Sequence, residues 1–218
     1  MKKQKKVAVL LAALVCLSLL VAVVAGCDGA TSKTETSDTG DSAKTTTGTK
    51  GKVLIVIAVR DFSDTEYNAV SLALAGTGYE TVVANASGAD STGDSQGVVP
   101  VDTTIEKLDA DDYAAVVLIG GPGASQYFGD AKLQSVIKEM AAAGKPVAAI
   151  CVAPVTLANA GVLNGKNATV FPSEVQQLKA AGAVVVEQPV VVDGNIVTGN
   201  GPEAADEFAR AVKSALGK

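Results

Sequence analysis

Pro146-Val-Ala-Ala-Ile-Cys-Val-Ala-Pro154 decides how the rest of the chain is read. Val147 to Ile150 is apolar without interruption, which fits a strand buried on both faces of a parallel sheet. Pro154 fits the first residue of a helix, where its missing N–H costs nothing. Cys151 therefore stands on a strand-to-helix turn. Such a turn drives the side chain out of the sheet, and the helix amides favour its thiolate, so an exposed and acidic thiol is expected. A core cysteine is the alternative reading, because free cysteine is often buried.

The same pattern repeats on both sides. Lys52–Val59 and Ala114–Ile119 are buried-strand runs, and the second ends in Gly120-Gly121-Pro122-Gly123. Ser63-Asp-Thr-Glu66 is a capping-box signature opening a helix to about Ala75, stopped by Gly76 and Gly78. Tyr79–Asn85 reads as a strand, Val98–Thr103 as a short edge strand and Thr104–Leu108 as a short helix. Asp130–Ala143 has helical spacing through Leu133, Val136, Ile137 and Met140. Ala168–Phe171 is a short strand, and Ser173–Ala181 is a helix with a second capping box, Ser173 and Gln176. Val184–Val192 and Asn195–Thr198 flank Asp193-Gly194, a hairpin signal, and Pro202–Leu216 is the terminal helix. Strands alternating with helices predict a flavodoxin-like α/β three-layer sandwich, with a mostly parallel sheet and helices on both faces. Sites in such sheets lie at the carboxyl ends of strands, where Cys151 falls.

The first residues read as an address. Lys2 to Lys6 are basic, Val7–Gly26 carries no charge, and Val24-Ala25-Gly26-Cys27 follows. That is a secretory signal in form, and the VAGC end resembles a bacterial lipobox, whose cysteine takes a thioether-linked lipid. Met1–Cys27 is thus expected to be a lipoprotein signal with Cys27 as the lipid attachment. An uncleaved signal-anchor helix is the alternative, since the apolar run is long enough to span a bilayer. Both put the rest of the chain outside the cytoplasm, anchored to the cell membrane. Asp28–Gly51 is Ser, Thr, Gly, Asp and Lys without a large apolar residue, a composition expected of a flexible tether. Residues 52–218 form the expected folded domain.

Composition narrows the chemistry. The 218 residues carry a net charge of -5. The folded region has no basic cluster, so nucleic acid is not an expected partner. No histidine occurs, which excludes any mechanism with an imidazole base. Cys16, Cys27 and Cys151 have no paired spacing for a disulfide framework. A lone thiol among scattered carboxylates is not a transition-metal ligand set, so no metal and no cofactor is expected.

The DFSDTE segment, the GGPG loop, the AICxxP turn and Val190–Pro202 (VVVDGNIVTGNGP), in that order, resemble the ThiJ/PfpI family. This family includes a protein deglycase and PfpI-type intracellular proteases. The likeness spans essentially all of the exported domain. It implies a flavodoxin-like sandwich, a homodimer, and Cys151 as an elbow nucleophile. It implies Glu66 as the acid that hydrogen-bonds the sulfur, although Glu66 is also the third residue of the capping box. It places Gly121 and Val152 where backbone N–H groups would hold an oxyanion. PfpI-type hydrolases have a histidine where this chain has Val152, so their Cys-His proteolysis has no base here. Asn200 precedes Gly201-Pro202 where the deglycase branch commonly has arginine. Three functions stay open: a glyoxalase- or deglycase-like enzyme acting on a small carbonyl or a glycated protein, a cysteine-based oxidative-stress sensor, and a non-catalytic binding module.

Overall fold

Successive residues of a strand point to opposite faces, and here both faces are apolar. Leu54 and Val56 join one buried cluster while Val53 and Ile55 join the other. Val116 and Leu118 divide from Ala115 and Val117 in the same way, as do Val147 and Ala149 from Ala148 and Ile150. A sheet with two apolar faces must be covered on both sides.

The computed structural model describes residues 49–217. The expected signal Met1–Cys27 and nearly all of the expected tether lie outside the described residues. In chain order the elements are β1 (Lys52–Val56), β2 (Arg60–Phe62), α1 (Asp64–Leu74), β3 (Glu80–Asn85), β4 (Ser91–Gly93), β5 (Val98–Val99) and β6 (Thr103–Thr104). Then follow β7 (Ala115–Leu118), α2 (Ala131–Ala142), β8 (Val147–Ile150), α3 (Pro154–Asn159), β9 (Asn167–Ala168) and α4 (Val175–Ala180). The last are β10 (Val184–Val185), β11 (Val190–Asp193), β12 (Ile196–Gly199) and α5 (Ala205–Leu216).

The main sheet has the order β11-β12-β8-β7-β1-β3-β6. All its neighbours pair in parallel except β11 with β12, which form the hairpin. Leu133, Val136, Ile137 and Met140 of α2, with Val155 and Leu157 of α3 and Leu178 of α4, cover one face. Val70 and Leu74 of α1, with Phe208, Ala209 and Val212 of α5, cover the other. This is the expected α/β sandwich. Glu66, Gly121 and Cys151 follow β1, β7 and β8, so their loops converge at the carboxyl ends of three adjacent strands.

Several local expectations change. Val98–Thr103 is not one strand: Pro100, which has no N–H to donate, separates β5 from β6. β5 pairs with β4 in a small second sheet with β2, while β6 pairs with β3 at the edge of the main one. Thr104–Leu108 is a 3₁₀ turn over Ile105–Lys107 rather than a helix. The run Val184–Val192 breaks before Pro189 into β10 and β11, and Ala168–Phe171 shortens to β9, which pairs with β10. The Ser173–Gln176 capping box does not form, because a 3₁₀ turn over Pro172–Glu174 precedes α4 and Ser173 Oγ donates to Glu174 Oε1 at 2.7 Å. The hairpin turn is Gly194-Asn195, one residue later than expected: Asp193 still pairs with Ile196, and Gly194 takes the positive φ of 67°.

Candidate active site

The strand-to-helix turn places Cys151 at φ 62°, a left-handed conformation rare for a residue with a Cβ. Backbone bonds on both sides hold it there. The Cys151 N–H donates to Gly199 O at 3.0 Å, and the Phe171 N–H donates to Cys151 O at 2.9 Å. This is the geometry of a nucleophile elbow.

Glu66 arrives from the first turn of α1. Half of the expected capping box forms: Ser63 Oγ accepts the Glu66 N–H at 3.4 Å. The Glu66 side chain does not return the bond to Ser63. It runs inward, fully buried, and its Oε2 accepts the Gly120 N–H at 2.8 Å. The carboxyl also hydrogen-bonds the Cys151 side chain. Oε1 is buried with no hydrogen-bond partner among the described residues. The amides of Gly121 and Val152 hydrogen-bond the sulfur. The structure thus gathers all four residues singled out from the sequence, Cys151, Glu66, Gly121 and Val152, around one atom.

Two glycines make this approach possible. A Cβ on Gly120 would sit 2.4 Å from the Cys151 Cβ and 2.8 Å from Glu66 Oε2. Gly121 has φ 97°, and a Cβ there would lie 2.5 Å from both Asp61 O and Ser63 N. The Ser63 N–H donates to Gly120 O at 3.0 Å, which fastens the loop carrying Glu66 to the loop carrying the amides.

The expected exposure and acidity of the thiol are corrected. Cys151 is buried, with 7% of its surface accessible. Burial and then the Glu66 charge push its thiol up to about 11, against the pull of the Gly121 and Val152 amides. Burial also pushes Glu66 up to about 7, opposed by the Gly120 amide and by Cys151, with Asp94 adding a like charge. The two groups share one dry space and cannot both be ionised near neutrality. The pair holds one proton above neutrality, and the thiolate forms when Glu66 takes it. An acid titrating near 7 suits proton transfer at neutral pH. Among the described residues no cluster of histidine, cysteine and acid side chains is arranged to hold a metal.

The sequence profile of the DJ-1/PfpI family matches residues 51–215. The chain belongs to the DJ-1/PfpI family. It is 38% identical over 170 residues to an uncharacterised protein of Methanocaldococcus jannaschii, covering 77% of this chain and 83% of that one. It is 35% identical over 158 residues to a protein of Pyrococcus horikoshii named a deglycase, covering 72% and 93%. A solved ThiJ/PfpI domain protein of Brachyspira murdochii superposes with a TM-score of 0.75 at 31% identity, covering 78% of this chain and 98% of that one.

In this DJ-1/PfpI chain the sequence left several supports of the site unmarked. Asp94 stands in the loop between β4 and β5 and donates its N–H to Phe62 O at 2.8 Å. That loop wraps Asp64, whose Oδ2 accepts the Ser95 N–H at 2.6 Å, and a Cβ on Gly93 or Gly97 would strike the Asp64 carboxylate. Tyr127 accepts the Ala86 N–H at 3.1 Å and donates to Ile57 O at 2.9 Å, bracing the ends of β1 and β3. The glycine spacing Gly93-x-x-x-Gly97 was the one available signal for the Asp64 loop.

Glu66→Gln should remove the pH dependence of stability that the buried carboxyl imposes. An acid raised from 4.5 to about 7 in the fold favours the native state fully below 4.5, and that contribution is lost as pH rises through 7. At pH 8 the variant should therefore exceed the wild type by about 2–3 kcal/mol in urea unfolding, and match or trail it at pH 4. Equal stabilities at both pH values would contradict this. The same change removes the charge that raises the thiol, so iodoacetamide should label Cys151 of Glu66→Gln at lower pH than in the wild type.

Proposed function

We propose that this chain is a membrane-tethered, extracytoplasmic DJ-1/PfpI protein in which Cys151 acts on reactive carbonyls, in the manner of a glyoxalase or deglycase. The observation that carries this reading is the contact between the elbow sulfur and a buried carboxyl that titrates near neutrality, with two amides aimed at the sulfur. Relatives named as deglycases from Pyrococcus horikoshii and Pyrococcus abyssi support it.

With methylglyoxal, Glu66 takes the thiol proton as sulfur bonds to the aldehyde carbon. The Gly121 and Val152 amides hold the oxyanion until Glu66 passes that same proton to it, which gives the hemithioacetal and restores the carboxylate. The Glu66 carboxylate then removes the hydrogen from that carbon, the hydroxyl proton passes to the neighbouring oxygen through the enediol, and Glu66 returns its proton to the neighbouring carbon, leaving a lactoyl thioester. Water cleaves the thioester, which restores the thiol and releases lactate. Net, one methylglyoxal and one water give one lactate, with no external oxidant. No imidazole is required, which fits a chain without histidine. Purified protein incubated with methylglyoxal should form lactate, and no turnover by the wild type would remove this reading.

A second reading, oxidation of Cys151 to a sulfinate, is favoured by the partnerless Glu66 Oε1. A protonated Glu66 would donate from that oxygen to a sulfinate oxygen. Mild peroxide should then add two oxygen atoms to intact protein and none to Cys151→Ser.

The tether rests on Val24-Ala25-Gly26-Cys27. Blocking lipoprotein maturation in cells with globomycin should make the precursor accumulate, and an unchanged precursor level would return the segment to a plain signal anchor. The family likeness also suggests a homodimer, which the mass in solution would report.

A further inference from the structure

The end of the sheet opposite Cys151 carries a feature that the carbonyl chemistry does not use. There the chain enters the domain at Lys50 and Gly51, β3 begins just after Tyr79, and α5 ends at Leu216. Two hollows of 350 and 320 Å³ meet at this end and share Tyr79 and Leu216. Their charged lining residues are Lys145 in the first and Lys50 and Lys213 in the second, with no acid in either. The geometry fixes two of the three. The Lys50 ammonium lies 5.8 Å from the centre of the Tyr79 ring, and Lys145 Nζ donates to Ala110 O at 2.8 Å. The Tyr79 hydroxyl donates to Leu216 O at 3.1 Å and ties the end of α5 to the same floor. Glu80, Asp111 and Asp112 belong to this end of the sheet but line neither hollow.

The elbow end has the opposite sign. The two hollows beside Cys151, of 220 and 280 Å³, have Glu203 and Glu187 as their charged lining residues. Asp94 adds its charge at Glu66. The charged linings of the hollows therefore differ in sign between the two ends, lysines where the parallel strands begin and glutamates beside the elbow.

We propose that the lysine-lined end is a docking face for an anionic lipid bilayer, Lys50, Lys145 and Lys213 meeting headgroup phosphates. The proposal rests on the tether reading above. Two observations select a bilayer as the occupant. One is the charge complementarity of the hollows. The other is the place where the chain outside the described residues joins the domain: Lys50, itself a lining residue, is reached from Cys27 by residues 28–49. Those residues span at most roughly 80 Å, so the domain of an anchored chain never leaves the neighbourhood of the surface. Each lysine at an anionic surface contributes about a fivefold preference for it. Docked this way, the chain holds its elbow on the far side, facing away from the lipid.

The test uses the full chain reconstituted in phosphatidylcholine vesicles with and without phosphatidylglycerol, read by amide hydrogen exchange. Residues 76–79, 143–146 and 213–217 should exchange several-fold more slowly with phosphatidylglycerol present, and high salt should abolish the difference. The combined variant Lys50→Gln, Lys145→Gln and Lys213→Gln should lose the difference while keeping exchange of the central strands unchanged. Equal exchange in both lipids would overturn the proposal, as would protection at residues 171–172 and 200–203 instead. Protection of the same amides by inorganic phosphate without vesicles would replace the bilayer by a small anion and also overturn it. Vesicle flotation reports the tether separately: failure to float on pure phosphatidylcholine removes the anchor reading, while lipid-dependent exchange at saturating vesicles still decides the docking face.

Discussion

Cys151→Ser is expected to lower lactate formation from methylglyoxal at least about a thousandfold, because a serine hydroxyl beside a carboxylate titrating near 7 is a far weaker nucleophile than a thiolate. The loss should appear in kcat. The amides of Gly121 and Val152 remain in place, so binding should change little. Unfolding midpoints of variant and wild type should agree closely, since serine fits the same left-handed turn and similar volume. Retained turnover would show that carbonyl chemistry occurs elsewhere on the chain, and a collapsed midpoint would show a packing role for the sulfur.

Gly121→Ala should be the most damaging single change to the fold near the site. The added Cβ meets backbone atoms, Asp61 O and Ser63 N, which cannot rotate away as a side chain end would. The φ of 97° adds strain for any L side chain. Together these predict a loss of about 3 kcal/mol or more in chemical unfolding. The bond from the Ser63 N–H to Gly120 O should break, with Glu66 displaced from the sulfur. Alanine at Gly129, where nothing lies within 4 Å of an added Cβ, is the control and should cost little. A Gly121→Ala midpoint within about 1 kcal/mol of the wild type would mean the two loops part without penalty.

The large features were legible because they are local. The apolar runs of β1, β7 and β8 have no other physical use than burial on both faces, and the turn at Cys151 follows from a strand meeting Pro154. Glu66 was legible only as two alternatives, since the pattern Ser63-x-x-Glu66 serves both a cap and an inward-facing acid. The structure shows the backbone half of the cap and the inward carboxyl together. What escaped was set by distant partners. β4 and β5 are short pieces that exist by pairing with each other and with β2, and no periodicity in so few residues announces that. The exposure of Cys151 was misjudged for a similar reason. An elbow does project its side chain, but the Gly120 loop and Glu66 close over it, and they come from sequence positions far from it.

The left-handed backbone at position 151 also bears on how such a chain can change over generations. A side chain there costs about 1 kcal/mol relative to glycine, the residue that adopts that conformation freely. A lineage that ceased to use the sulfur would therefore gain a sturdier protein by drifting to glycine at that codon. Decay of the chemistry and improvement of the fold run in the same direction at this position, so the cysteine is held against a slope that stability alone would let it slide down.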